Sequence, residues 1–240
     1  MTKNAQFQLN EQLLQDFPDI HLAVLKADLP AQEELSQSIA AMTEQLNSAI
    51  AGLDSFDPIT MMPELAVWRT AYQNLGVKPS KFPSSIEALL RRAKKGEHAS
   101  IGIPAVDLYN TVSVVHRVPM GAYDMAKLGD DPIELRYASP EDDVFSPLGG
   151  RTGGFPLNPK LAVYAQGNEI LCWGFNTRDS AKTAVDDASR AVLFLSESVS
   201  SDFRERSVTA LEELSNVVEK AGGSAQPIAT ISASQPCGTV

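Results

Sequence analysis

The stretch LYNTVSVVHRVPMGAYD occupies residues 108–124 of the chain. Its apolar residues recur at helical spacing as far as Pro119, which predicts a helix that ends before that proline. Asp107 precedes the stretch, and further hydrogen-bonding side chains interrupt its apolar stripe: Tyr109, Asn110, Ser113 and His116. Buried polar groups need hydrogen-bond partners. The pattern therefore predicts partners for this helix elsewhere in the chain.

The composition is that of an ordinary globular protein, with 240 residues, 43% apolar and 21% charged. This length suits one large domain, or one domain with a helical extension. The two cysteines cannot form a disulfide framework, and Cys172 lies in an apolar run, which favours a buried free thiol. The N-terminus lacks a signal-peptide core, and no apolar run reaches the length of a membrane span. We expect a soluble, cytoplasmic protein without membrane contact.

Charge is segregated along the chain. The net charge of −10 argues against non-specific nucleic-acid binding and against DNA as a partner. Residues 78–95, however, carry six cations and only one acid, Glu87. Four of these cations lie at the end of a predicted capped helix: Arg91, Arg92, Lys94 and Lys95. They are predicted either to contact RNA phosphates or to be solvated groups that interact favourably with the helix dipole.

Three helices are predicted in the first 100 residues. Apolar residues recur every three or four positions in residues 31–51 and again in residues 64–76, each pattern ending at a glycine. Ser84 and Glu87 form a capping-box pattern ahead of a third apolar stripe that ends at Gly96. The first 100 residues are therefore predicted to be almost wholly helical, with residues 1–59 as a helical extension.

The period changes after residue 130. Residues 133–138 alternate as a half-buried strand, residues 161–175 form two apolar runs around a turn, and residues 191–197 form a further short apolar run. Residues 203–221 return to helical spacing, and the last dozen residues are predicted to be loosely ordered. This order predicts an α+β fold whose core is a mainly antiparallel sheet or a barrel.

Standard catalytic motifs are absent, including GxSxG, HExxH, paired CxxC and the Walker lysine. In GGRTGGF, residues 149–155, Phe155 occupies the position where a P-loop needs lysine. The Gly149–Gly150 turn is then either a plain connector or a backbone cradle for an anion. The three histidines have no metal-ligand neighbours at a usual spacing, so no metal site is predicted. His116 either faces a polar pocket or simply suits a helix C-terminus.

The densest polar stretch between apolar runs is NTRDSAKTAVDDASR, residues 176–190. Such a stretch is either a solvated connection or a set of side chains presented to one ligand. In the second case, its charges of both signs would bind an anion and an amino group or a water. Its candidate residues are Asn176, Arg178, Asp179, Ser180 and Lys182.

The order of several motifs resembles that of free-standing members of the B3/B4 domain family, named after the editing domain of the bacterial phenylalanyl-tRNA synthetase β subunit. The resemblance covers residues 60–221 and is most specific at Val106, Asp107 and Asn110, followed by the GAYD run. DDASRAVL, residues 186–193, is similar to the family's DETQNVLL segment. Ser180 occupies the position of the family's editing glutamate, with Asp179 adjacent, and the neighbouring glycines of the family are absent.

The resemblance implies a barrel-like core wrapped by helices, with residues 1–59 as an extension and residues 222–240 as a tail. It implies a pocket for an aromatic amino acid, tRNA as partner, no metal and no organic cofactor. Asp107 and Asn110 would be buried partners that tie their helix to the core, with Ser113 and His116 nearer the cavity.

Two functions follow as hypotheses. The first is a free-standing hydrolase of mischarged aminoacyl-tRNA, whose activated ester needs only a placed water and an oxyanion donor. The second is a non-catalytic module that binds an amino acid or an RNA end. For either, we predict a pocket between the 107–116 helix, the Gly149–Gly150 turn and residues 176–183. Asp179 and Asn176 are the predicted catalytic residues, and the predicted substrate contacts are Arg178, Ser180, Lys182, His116, Gly149 and Gly150.

Overall fold

The computed structural model describes residues 4–98, 100–150 and 154–240. Residues 151–153, the centre of the GGRTGGF run, lie outside the described residues. The described chain is a mixed α+β fold of seven α-helices and twelve strands. In chain order these are β1 Gln6–Leu9, α1 Glu11–Asp16, β2 His21–Asp28, α2 Gln32–Ala40, α3 Thr43–Ala51, α4 Pro63–Asn74, α5 Ser85–Lys94, α6 Pro104–His116, β3 Met120–Asp124, β4 Ile133–Tyr137, β5 Val144–Phe145, β6 Ala162–Gln166, β7 Glu169–Trp173, β8 Arg178–Asp179, β9 Ala191–Ser198, α7 Arg204–Lys220, β10 Ser224–Ala225, β11 Ala229–Ser232 and β12 Cys237–Thr239.

The strands form two sheets. The larger has the order β12-β1-β4-β6-β7-β5, with β8 also paired to β7; the smaller has the order β10-β2-β9-β3, with β11 also paired to β2. Among the strand pairs of the described residues, two are parallel, β1–β4 and β5–β7. The predicted α+β class and mainly antiparallel core are confirmed. The core consists of two separate sheets and is not a closed barrel.

The helical prediction for the N-terminal segment is wrong in two places, β1 and β2. Strand β2 lies inside the smaller sheet and pairs with β9 along its whole length, from His21 opposite Ser198 to Asp28 opposite Ala191. Seven of its eight residues are buried. Its apolar run, LAVL at residues 22–25, is too short to show a period that would distinguish a buried strand from a helix.

The prediction of a loosely ordered C-terminus is also wrong. Strand β12 pairs with β1, and β11 pairs with β2, so the last residues belong to both sheets. Ile231 and Val240 are buried in the core. Strands from residues 1–59, from residues 60–221 and from residues 222–240 thus pair with one another, while the division of the chain at those boundaries stays a prediction.

The hydrophobic core has two parts. One is aromatic and lies against the larger sheet, where Phe175 packs edge-on against both Phe17 and Trp68. The other lies between the smaller sheet and helices α6 and α7, around Phe194 and Leu211. No helix within the described ranges is long and apolar enough to cross a bilayer.

A modest core substitution tests the order of the C-terminal segment. Ile231→Val removes one methyl group from a fully buried side chain and should lower the free energy of unfolding by about 0.5–1.5 kcal/mol. Thr230→Ser, on the exposed face of the same strand, is the matched control and should change it by less than about 0.5 kcal/mol. Equal stabilities in a urea titration of both variants would show that β11 is not part of the core.

Candidate functional site

A cavity of about 500 Å³ opens between the two sheets and helices α5 and α6. We call it the main cavity. Its wall includes aromatic side chains from three different elements, Tyr109 of α6, Tyr123 of β3 and Tyr164 of β6. The segment 175–179 and the end of β9 close the opposite side. The cavity is therefore assembled from residues that are far apart in sequence.

A tight turn after β7 presents the polar segment to the cavity. Gly174 and Phe175 both have positive φ, 65° and 56°, and the Phe175 side chain is fully buried. Left-handed backbone is costly for a phenylalanine and persists only where packing enforces it. Buried Tyr72 donates a hydrogen bond to the Gly174 carbonyl at 2.5 Å and accepts one from Thr177 at 2.8 Å. Tyr72 of helix α4 thus fixes this turn through two hydrogen bonds.

Asn176 connects helix α5 to strand β9. Its Oδ1 accepts the backbone N–H of Ser85 at 2.9 Å, the first residue of α5. Because a backbone N–H can only donate, the amide nitrogen must face the other way, and it donates to Glu197 Oε1 at 2.6 Å. Both ends of this predicted catalytic amide are therefore bonded to protein, and Asn176 orients Glu197.

Glu197 is a buried carboxyl group at the cavity wall, only 2% exposed. Tyr164 of the larger sheet donates to its Oε2, so this hydrogen bond bridges the two sheets. Burial raises the pKa of Glu197 to about 7; the hydrogen bonds from Tyr164 and Asn176 lower it, and the nearby Asp179 charge raises it. A carboxyl group that titrates near neutral pH is suited to general acid–base catalysis.

Asp179 is the second carboxyl group in the cavity. It lies directly opposite Cys172 across the β7–β8 pair. Burial raises the pKa of Asp179, and this is partly offset by the hydrogen bond from Cys172 and by the charge of Arg178. Burial also raises the pKa of the Cys172 thiol. Cys172 is then a protonated donor and not a nucleophile.

Three hydroxyl groups at the cavity have no hydrogen-bond partner within the described ranges. The Ser85 Oγ is buried and unpaired. The hydroxyls of Tyr109 and Tyr123 form no hydrogen bond to any described residue, and Tyr123 is only 2% exposed. Since buried polar groups are normally satisfied, these hydroxyls are available to polar atoms of a ligand.

The rim of the main cavity, unlike its interior, carries positively charged side chains. Arg92 and Arg178 are exposed at it, and neither forms an ion pair with another described residue. The Arg178 guanidinium lies 5.4 Å from the centroid of the Phe155 ring. Two of the most exposed apolar side chains, Ile101 at 55% and Leu148 at 46%, also lie at the cavity. The interior thus presents carboxyl and hydroxyl groups, and the rim presents guanidinium and aliphatic groups.

The structure brings together only part of the predicted site. Asn176, Arg178 and Asp179 line the main cavity, but Ser180 and Lys182 do not. Ser180 is fully buried, with its N–H bonded to the Leu171 carbonyl, and Lys182 forms an ion pair with Glu169 at 2.5 Å. Both residues follow the end of β8 at Asp179, so the β7–β8 pair that holds Arg178 and Asp179 at the cavity does not position them there.

The other predicted substrate contacts lie away from the cavity. His116 is hydrogen-bonded through its Nε2 to Glu213 of α7 and lines a separate cleft. Gly149 and Gly150, with φ of 91° and 76°, form a turn in which the Gly150 N–H bonds to the Pro147 carbonyl. Among the residues of that loop that the structure describes, Leu148 is the one that reaches the cavity wall.

The polar residues of helix α6 differ in their roles. Asp107 accepts hydrogen bonds from the Ser100 hydroxyl and the Ile101 N–H, which fixes the loop before the helix. Ser113 donates to the Val118 carbonyl at 2.5 Å at the end of the helix. Asn110 was predicted to be a buried scaffold partner, and this is wrong, because its amide bonds to no described residue and lines the cavity.

The four predicted phosphate contacts are not equivalent. Arg91 forms an ion pair with buried Glu87 at 2.5 Å, and Lys94 donates to the Phe56 carbonyl at 2.7 Å. Lys95 is exposed at the helix end. Arg92 alone among the four lines the main cavity.

Sequence reasoning missed Glu197, Tyr123 and Tyr164. One signal was present, since Glu197 stands in AVLFLSES, an otherwise apolar and neutral strand. A carboxyl group in such a strand is buried unless the strand is at an edge, and buried carboxyl groups are rare without a role. Within residues 4–98, 100–150 and 154–240, no cluster of three or more His, Cys, Asp or Glu side chains could hold a metal ion.

Comparison with known proteins gives one family match. The family model described as the B3/4 domain matches residues 67–224. Among solved structures, the chain is similar to an N-terminal fragment of the phenylalanyl-tRNA synthetase beta-subunit from Pyrococcus horikoshii, with 11% sequence identity and a TM-score of 0.44. That alignment covers 94% of this chain and 52% of the other, so the chain spans about half the length of its neighbour. No curated protein matches the chain.

Proposed function

This chain belongs to the B3/4 domain family, and from that premise we propose that it hydrolyses aminoacyl-tRNA whose amino acid is wrongly attached. The family resemblance at Val106, Asp107 and Asn110 supports a tRNA-related role of this kind. The observation that carries the proposal is the distribution of charge in one cavity, with carboxyl groups inside and unpaired arginines at the rim. The proposal keeps the cytoplasmic location expected from the sequence.

An aminoacyl ester matches this distribution of charge. Its α-ammonium group would bind the Asp179 carboxylate inside, since a charge-assisted hydrogen bond is strongest where water is excluded. The amino-acid side chain would lie against Tyr109 and Tyr123, whose unpaired hydroxyls would meet its polar atoms. The RNA phosphates would remain outside, near Arg92 and Arg178, where guanidinium groups bind phosphate in two-point contacts.

The chemistry requires only water and a base. Glu197, with a pKa near 7, takes a proton from a water molecule as the water oxygen attacks the ester carbonyl carbon. The bond between that carbon and the ribose oxygen then breaks, and the ribose oxygen takes the proton back from Glu197. Free amino acid and tRNA are released. In this scheme Asn176 is a positioning residue for Glu197, not a group that contacts the ester.

One observation favours a second function, a module that binds an amino acid without cleaving it. Each oxygen of Glu197 already accepts one hydrogen bond from the protein, as a purely structural carboxylate would. The two functions separate in a single-turnover experiment with protein in excess over mischarged tRNA. A hydrolase releases free amino acid in acid-soluble form, whereas a binding module retains it as ester.

The contribution of the rim to tRNA binding can be measured by a single substitution. Arg92→Gln should weaken tRNA binding about fivefold and reduce the slope of log affinity against log salt by about 0.7–0.9, the value for one lost phosphate contact. Arg91→Gln is the matched control on the same helix, because Arg91 is already paired with Glu87. Filter binding over a range of salt concentrations gives both quantities. Equal slopes for the two variants would place the phosphates elsewhere.

A further inference from the structure

A second group of unpaired polar atoms lies at the start of helix α7. Within the described ranges, three buried side-chain atoms there have no hydrogen-bond partner: His21 Nδ1, Arg204 Nε and Ser207 Oγ. His21 is 5% exposed, and Ser207 is fully buried. Buried polar atoms are normally hydrogen-bonded. These three therefore need a partner that the described residues do not supply.

Strand β2 presents His21 to helix α7. Alternate residues of a strand share a face, so His21 lies on the same face as Ala23, which belongs to the core cluster that contains Leu211 of α7. Ser207 begins the buried stripe of α7 that includes Leu211. His21 and Ser207 thus lie in the same layer, between the smaller sheet and α7.

The two ends of α7 lie beside the two ends of β2. Ser198 pairs with His21, and five residues separate Ser198 from the first residue of α7. At the other end, a side chain on Gly223 would touch both the Asp28 carbonyl and the Val218 side chain, which are therefore neighbours. The helix rises about 21 Å up to Val218, and β2 extends about 23 Å from His21 to Asp28. The first turn of α7 consequently lies at the level of His21.

Arg204 is a cation without an acidic partner in the described part of the chain. Its side chain is half-buried, whereas Arg206, two residues later, is paired with Glu64 at 2.6 Å, and Arg117 lies 3.8 Å from the same carboxylate. Burial and, to a smaller extent, the charge of Arg204 lower the pKa of His21 to about 4. His21 is therefore neutral at physiological pH. Buried charges are normally paired, so Arg204 requires a counter-ion.

The unpaired atoms at the start of α7 are hydrogen-bond donors. The Nε–H of Arg204 can only donate, the Ser207 hydroxyl can donate, and a neutral His21 with its proton on Nδ1 donates as well. Helix α7 has 17 residues, and its N-cap residue, Phe203, forms no side-chain capping hydrogen bond. The positive end of the helix dipole lies at the same place. Donors, a cation and a helix N-terminus together favour an anion, whereas a water molecule would leave the Arg204 charge uncompensated.

We propose that a small inorganic anion, chloride, binds between the first turn of α7 and the start of β2, where it accepts hydrogen bonds from Arg204, Ser207 and His21. The bound anion supplies the missing counter-charge and connects α7 to the smaller sheet. Glu197 follows Ser196 and precedes Ser198 on β9, so its side chain points to the opposite face of the sheet from His21, toward the main cavity. The proposal is thus independent of the proposed function.

A chloride titration of the full chain, followed by NMR of the His21 imidazole, tests this site. Chloride replaces gluconate at constant ionic strength, and the His21 resonances should shift along a saturable one-site curve. Arg204→Gln should weaken chloride affinity at least about tenfold, since it removes a charge-assisted hydrogen bond, and Ser207→Ala should weaken it about threefold or more. Lys220→Gln, which removes an exposed cation at the other end of α7, is the matched control and should bind chloride like the unmodified protein.

Two variants at the site make the test independent of any one substitution. The inference is overturned if chloride causes no saturable shift, which would show that water alone occupies this position. It is also overturned if Arg204→Gln or Ser207→Ala binds chloride as tightly as the unmodified protein. Equal weakening by Lys220→Gln would assign the effect to the overall charge of the helix and would likewise contradict a specific site.

Discussion

Replacing Glu197 by glutamine is expected to stabilise the protein by about 3 kcal/mol above pH 7, because burial raises the pKa of this carboxyl group from 4.5 to about 7. A raised pKa means that the folded state binds more protons than the unfolded state between these two values. The contribution of Glu197 to stability is therefore largest below pH 4.5 and is lost as the pH rises from about 4.5 to about 7. Glutamine removes the ionisable carboxyl group and keeps the size and shape of the side chain.

Urea denaturation at half-unit steps from pH 5 to pH 8 measures this effect. The unmodified protein should lose stability across the range, and Glu197→Gln should not show that loss. Glu205→Gln, at an exposed position on α7, is the control and should follow the unmodified protein. Parallel pH profiles for Glu197→Gln and the unmodified protein would show that Glu197 is not a strained, buried acid.

The same substitution should reduce ester hydrolysis by at least about hundredfold, since a general base contributes roughly 10²- to 10⁴-fold. A more stable and inactive variant is the signature of a group retained for function at the expense of stability. A variant that is less stable and also inactive would instead assign Glu197 a structural role.

Asp179→Asn is expected to weaken binding of an amino-acid methyl ester roughly ten- to hundredfold, while the fold is unchanged. The α-ammonium group of the ester loses a charge-assisted hydrogen bond of about 1.5–3 kcal/mol, and 1.4 kcal/mol corresponds to a tenfold change in affinity. Asparagine keeps the size of the side chain and still accepts a hydrogen bond from Cys172.

The control for this prediction is Asp187→Asn, which removes an exposed carboxylate outside the cavity wall. Its affinity for the methyl ester should equal that of the unmodified protein in the same calorimetric titration. Acetylation of the ester's amino group should abolish the difference between Asp179→Asn and the unmodified protein. If the acetylated ester still distinguishes them, Asp179 does not bind the ammonium group.

Local patterns predicted most of the helices, and non-local pairing explains the missed strands. The single helix expected over residues 31–51 is wrong, because the structure has two helices there, α2 and α3. Ser84 caps helix α5 as predicted, and its Oγ accepts the Glu87 N–H at 3.3 Å. The Glu87 side chain, however, forms ion pairs with Arg69 and Arg91 and does not complete the capping box. Strand β2 pairs with β9, from the other end of the chain, and no sequence-local signal specifies such a pairing.

The site was predictable where it is local. Asn176, Arg178 and Asp179 follow one another in a polar stretch, and all three line the cavity. Glu197 and Tyr164 come from strands of different sheets, and their hydrogen bond exists only because the sheets face each other. Ser180 and Lys182 lie beyond the end of β8 and are held elsewhere, by the Leu171 carbonyl and by Glu169, contacts that the polar stretch itself does not specify.

The most direct test of hydrolysis at the main cavity is the rate of amino-acid release from a panel of mischarged tRNAs. Each tRNA is incubated with the unmodified protein, with Glu197→Gln and with buffer alone. We predict that the unmodified protein releases the amino acid from at least one member of the panel faster than buffer does, and that Glu197→Gln does not. Release at the buffer rate from every member, or equal release by both proteins, would contradict ester hydrolysis by Glu197 in this cavity.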